Sequence, residues 1–153
     1  MDDKNKAIII LKELDINILV IGNIGSGKSH LLKEANIENS KYFDFPALNK
    51  GSKYIELCDE NFDEFDFLNI PEKTLILDGV HISDNTDKSK IVRFIKTVRK
   101  YGKRIIVVSF PDDGERIKNL FGAVITLTRP ANTQKKCATV SNYFVACGSM
   151  KIY

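Results

Sequence analysis

The chain has 153 residues, 43% of them hydrophobic and 28% charged, a length and composition that suit one domain with its own apolar core and make a second unlikely. A formal net charge of +3 neither demands nor excludes nucleic acid, while three cysteines without close pairing or metal-ligand spacing (Cys58, Cys137, Cys147) argue against a disulfide scaffold or zinc site and suit free thiols in the cytoplasm. With no apolar run of about eighteen residues and an acidic start, MDDKNK, neither a membrane span nor a signal peptide is expected.

Asn5 to Leu14 places apolar residues at Ala7, Ile10, Leu11 and Leu14, the spacing of a short amphipathic helix, with an edge strand as the alternative. Ile16 to Ile21 is continuously apolar, as a strand buried on both faces should be. It leads into Gly22 to Ser29, GNIGSGKS, which fits G-x-x-x-x-G-K-[ST] in full. In such a loop the glycines turn the backbone tightly so that N–H groups face phosphate oxygens. Lys28 reaches the β and γ phosphates and the Ser29 hydroxyl holds Mg²⁺. Ser29 to Asn36 follows as a helix whose N-terminal dipole adds to phosphate binding. The expected nucleotide contacts are therefore Gly22, Asn23, Ile24, Gly25, Ser26, Gly27, Lys28, Ser29 and His30.

Tyr42 to Phe45, ended by Pro46, and Tyr54 to Leu57 read as further short extended pieces. Glu56 to Asp66 interleaves six carboxylates with Phe62 and Phe65, either a solvated loop or a docking surface for a basic partner. Thr74 to Asp78, TLILD, is a central strand closed by an acid. Asp78 is expected at the end of a strand neighbouring the loop's strand, holding the metal's water shell; the alternative is a turn residue of the Asp78-Gly79 dipeptide. Many ATPases place a second acid next in sequence to polarise the attacking water. Here it is Gly79, so hydrolysis is weak or falls to His81, Asp84, Asp59 or Glu60.

Thr86 to Tyr101 repeats apolar residues at Ile91, Phe94, Ile95, Val98 and Tyr101 and stops at Gly102, a helix. It carries Lys88, Lys90, Arg93, Lys96, Arg99 and Lys100, continuing into Lys103 and Arg104. Arg93, Lys96 and Lys100 share a face that suits the phosphates of DNA or RNA, or else is simply solvated. Arg104 to Phe110 and Ala123 to Leu127 are two more strands, with DDGERIKNLFG between them as a short helix or turn. Ser109 is a candidate contact to the γ-phosphate or attacking water, or a strand-end cap. Arg116 and Arg129 are candidates to reach a nucleotide in a neighbouring subunit. Beyond Arg129 the chain turns polar and ends in NYFVACGSMKIY, read as an added edge strand or hairpin. Strands alternating with helices give a three-layer α/β fold with a mostly parallel five-stranded sheet and no separate lid domain. The expected organisation is a single domain over 1–153, with an N-terminal helix in 1–15, the core in 16–130 and a tail or edge strand in 131–153.

The string GSGKSHLLKEA resembles the loop and helix of bacterial replication-initiator ATPases (DnaA type) and their helicase-loader relatives. LILDGVH resembles their metal-site strand, with Asp78 at the first acid, and IVVSFPDD their sensor strand, with Ser109 at the polar position. Over roughly residues 7–130 the resemblance implies an AAA+ ATPase core that holds ATP or ADP with Mg²⁺ at the carboxyl ends of the strands. It assigns catalytic roles to Lys28, Asp78 and Ser109, metal contacts to Ser29 and Asp78, and action through assembly on DNA. Departures are Gly79 at the second acid, a tail too short for a helical lid, and Arg116 as only an approximate match to the usual arginine. The expectation is a cytoplasmic, ATP-binding AAA+-like regulator or assembly factor in DNA replication or a related DNA transaction, at most a weak ATPase. Its expected partner is another protein or a second copy, with DNA at Arg93, Lys96 and Lys100 and no membrane. The alternatives are a small-molecule or nucleotide kinase using Asp78 as base, and a non-hydrolysing nucleotide-binding interaction module.

Overall fold

The apolar runs become strands of one sheet in a computed structural model that describes residues 3–23, 25–44, 68–80, 88–128 and 137–141. In chain order the elements are α1 (Asp3–Glu13), β1 (Ile18–Gly22), α2 (Lys28–Ala35), β2 (Ser40–Asp44), β3 (Thr74–Asp78), α3 (Lys88–Lys100), β4 (Arg104–Ser109), α4 (Pro111–Ile117), a 3₁₀ turn (Lys118–Leu120), β5 (Ala123–Thr128) and β6 (Cys137–Ser141). The strand order is β2-β3-β4-β1-β5-β6. The first five strands are mutually parallel, and β6 adds an antiparallel edge beside β5.

Side-chain alternation along the central strands builds two apolar layers. Leu19, Ile21, Leu75, Leu77, Ile105 and Val107 face Phe94, Ile95 and Val98 of α3 and Ile117 of α4. Ile18, Val20, Ile76, Ile106 and Val108 face Ala7, Ile10 and Leu11 of α1 and Leu31, Leu32 and Ala35 of α2. Each such large side chain, fully buried, contributes about 1.5–3 kcal/mol over its exposed state. The three-layer architecture is the one the alternating pattern implies.

Several local expectations change. Asn5 to Glu13 is helical, within α1, and Leu14 follows the helix, so the segment is not an edge strand. Tyr101 does not continue the buried face of α3; it follows the helix's last residue and is 46% exposed. Asp78 does not lie on the strand next to the loop's strand, because β4 is inserted between β1 and β3. Lys103 and Arg104 do not extend the basic stripe. Both are buried, and their donors end on backbone carbonyls or a hydroxyl. Lys103 Nζ donates to the Ile70 and Glu72 carbonyls, each at 2.6 Å. Arg104 donates to Thr74 Oγ1 at 3.0 Å and to the Leu11 and Leu14 carbonyls, closing the last turn of α1. Tyr54 to Leu57, the acidic stretch, Cys58, Cys147 and residues 142–153 lie outside the described residues, as do Ile24, Asp59, Glu60, His81, Asp84 and Arg129.

Candidate nucleotide site

At the carboxyl end of β1 the chain turns through the glycine-rich loop into α2. Gly27 at the start of that helix has φ 98°, a left-handed conformation that a side chain would strain. Gly22 has no room for one either, since a Cβ there would stand 2.2 Å from Ser26 Oγ. The strand end and the loop are thus in direct contact. The first turn of α2 has no capping side chain and no acidic residue, leaving its dipole and N–H groups suited to an anion. Ser26 Oγ is buried beside this turn without a hydrogen-bond partner. An unpaired buried hydroxyl costs free energy that a ligand oxygen can offset. Asn23, Gly25, Ser26, Gly27, Lys28, Ser29 and His30 line the cleft. These features fit a phosphate group.

Lys28 folds over its own loop. Its Nζ donates to the Gly22 carbonyl and, at 3.1 Å, to that of Asn23, and lies 4.6 Å from the centre of the Phe110 ring. Burial lowers its pKa, and the Asp78 charge acts in the opposite direction. Two inter-strand spacings, about 10 Å of backbone, separate β1, which leads into the loop, from β3, which ends at Asp78. His30, on the first turn of α2, is exposed and pairs with Glu34 at 2.5 Å, and Glu34 also takes Lys4 at 2.9 Å, so α1 is tied to the loop's helix.

Asp78 closes β3, half-buried. Its Oδ2 accepts a hydrogen bond from the Tyr42 hydroxyl of β2. Gly79 then takes φ 75°, and its N–H and that of Val80 both reach the Val108 carbonyl, at 3.0 and 3.2 Å. The turn after Asp78 thus takes a left-handed residue, a conformation glycine adopts without strain. A carboxylate that sequence order did not suggest, Asp44, stands directly across from Asp78 in the β2–β3 register. Only the parallel pairing reveals it, because no motif links residues so far apart in sequence.

Ser109 ends β4 next to Asp78's strand, but alternation sends it to the other face. It is buried, its Oγ has no partner, and a Cβ on Gly114 of α4 would lie 3.1 Å from that oxygen. The structure brings Lys28, Ser29 and Asp78 to one end of the sheet and places Ser109 beneath α4. Arg116 is half-buried and pairs with Asp113 at 3.6 Å. On α3, Arg93, Lys96 and Lys100 are exposed, whereas Arg99 is bound to Asp15 at 3.1 Å. Among the described residues no helix is long and apolar enough to cross a membrane, and no group of three or more His, Cys, Asp or Glu side chains forms a metal cluster.

No family model and no curated protein sequence matches the chain. Solved structures do resemble it. The flagellar accessory protein FlaH of Methanocaldococcus jannaschii superposes with a TM-score of 0.60 at 15% identity, over 97% of this chain and 87% of that one. The N-terminal domain of zonular occludens toxin from Neisseria meningitidis gives 0.52 at 21% identity, over 84% and 85%. A KaiC-like protein of Pyrococcus horikoshii gives 0.52 at 13% identity, over 90% and 84%. At these identities the likeness is one of fold, and the fold is that of the P-loop NTPases.

Proposed function

We propose that this chain binds ATP or ADP with Mg²⁺ at the carboxyl ends of β1 and β3, and that nucleotide state controls its association with a partner in DNA replication or a related DNA transaction. The observation that carries the first part is the joining of a complete GNIGSGKS loop to an uncapped helix start, with Asp78 at the same carboxyl end of the sheet. Backbone N–H groups of the loop and of α2 would hold the phosphates, and Lys28 would exchange its two carbonyl acceptors for phosphate oxygens. Ser29 and Asp78 would hold the metal, which when bound neutralises charge between phosphate oxygens. Asp44, across from Asp78, would supply the second carboxylate that position 79, a glycine, does not.

The second part of the reading is supported by the resemblance of GSGKSHLLKEA, LILDGVH and IVVSFPDD to replication-initiator ATPases and by the exposed Arg93, Lys96 and Lys100. It places the chain in the cytoplasm as an AAA+-like regulator or assembly factor. A non-hydrolysing interaction module is the second reading, favoured by the left-handed Gly79 in the water-activating position. Nucleotide affinity and solution size measured with ATP, ADP and neither test the proposal. Binding accompanied by a nucleotide-dependent change in size or partner capture is expected; binding with neither change removes the switch. Phosphate release that requires both Lys28 and Asp78 would count against the non-hydrolysing module.

A further inference from the structure

Tyr42 is a side chain at this end of the sheet that the proposed function leaves unused. It lies on β2, the edge strand, opposite Ile76 and two residues before the position facing Asp78. The residue is 47% exposed, so core packing does not call for an aromatic there, yet its hydroxyl donates to Asp78 Oδ2. Asp44, directly opposite Asp78, puts a second carboxylate on the same face. Like charges facing each other across adjacent strands repel, and a hydroxyl donor beside them offsets part of that cost.

We infer that Tyr42 is a positioning residue for the metal: by engaging Oδ2 it fixes the Asp78 carboxylate and leaves Oδ1 for the metal's water shell. This rests on the reading of Asp78 as a metal-site carboxylate. Hydrogen bonds that orient a metal-binding carboxylate typically change metal affinity 10- to 100-fold when removed.

The test compares the full chain with Tyr42→Phe, titrating Mg²⁺ against binding of a fluorescent ATP analogue, with a parallel series in EDTA and a melting curve of the free protein. Expected is about a tenfold or greater rise in the Mg²⁺ concentration that gives half-maximal strengthening of binding. Affinity in EDTA should stay at the wild-type value, and the melting temperature should fall by no more than about 2–4 °C, as for the loss of one hydrogen bond. An unchanged Mg²⁺ midpoint overturns the positioning role, and so does an equal loss of affinity with and without Mg²⁺. Failure of the underlying reading looks different, because the wild-type chain itself would then bind without any Mg²⁺ dependence.

Discussion

The two ends of the sheet carry similar residues and use them in opposite ways. At the amino end of β4, buried Lys103 and Arg104 have their donors taken by carbonyls of residues 11, 14, 70 and 72 and by the Thr74 hydroxyl. At the carboxyl end, Lys28 is held by carbonyls of its own loop and by the face of an exposed phenylalanine, while Ser26 beside it keeps a buried hydroxyl without a partner. A fully satisfied polar network stabilises a single arrangement. An unsatisfied one leaves free energy to be gained from a ligand. Charge and burial alone do not distinguish a structural cation from a binding one; the permanence of its partners does.

The contrast breaks most visibly at Arg104. Arg104→Ala orphans the Leu11 and Leu14 carbonyls and should cost about 3 kcal/mol, or roughly 6–12 °C in melting temperature, with nucleotide affinity little changed. Lys28→Ala should do the reverse: a loss of ATP affinity on the order of 100-fold, about 2.7 kcal/mol, with the free protein's melting temperature nearly unchanged. Gly79→Ala forces a side chain into a left-handed turn beside the site, at a cost of about 1–2 kcal/mol that a denaturant titration would read. Smaller still is the effect on α3, where replacing Arg93, Lys96 or Lys100 singly with Ser should lower the log–log salt slope of any DNA binding by about 1 for each phosphate that is no longer neutralised.

Much of this is legible in the sequence. The loop, the strand before it and the helix after it follow from one motif, because glycine, lysine and serine at fixed spacing have few other uses. TLILD and RIIVVS stand out as apolar runs buried on both faces. What sequence does not reveal depends on pairing between distant segments. The insertion of β4 between β1 and β3, the Asp44–Asp78 register and the Tyr42 hydrogen bond each join residues that share no local pattern. Lys103 and Arg104 group with the basic stripe in sequence because hydrophobic periodicity cannot say where a long cationic side chain ends. Ser109 sits at the right strand end, but only strand alternation puts it on the face opposite Asp78.

Nucleotide binding through Lys28 is most directly tested by the thermal shift of the full chain with and without Mg²⁺ and ATP, beside Lys28→Ala. A ligand at 100 times its dissociation constant stabilises by about 2.7 kcal/mol, which for a chain of this size is roughly 5–11 °C. The wild-type chain should show that rise and Lys28→Ala should lose it while melting normally when free. A wild-type chain whose melting temperature is indifferent to ATP, or a Lys28→Ala chain stabilised as much as wild type, would contradict the assignment.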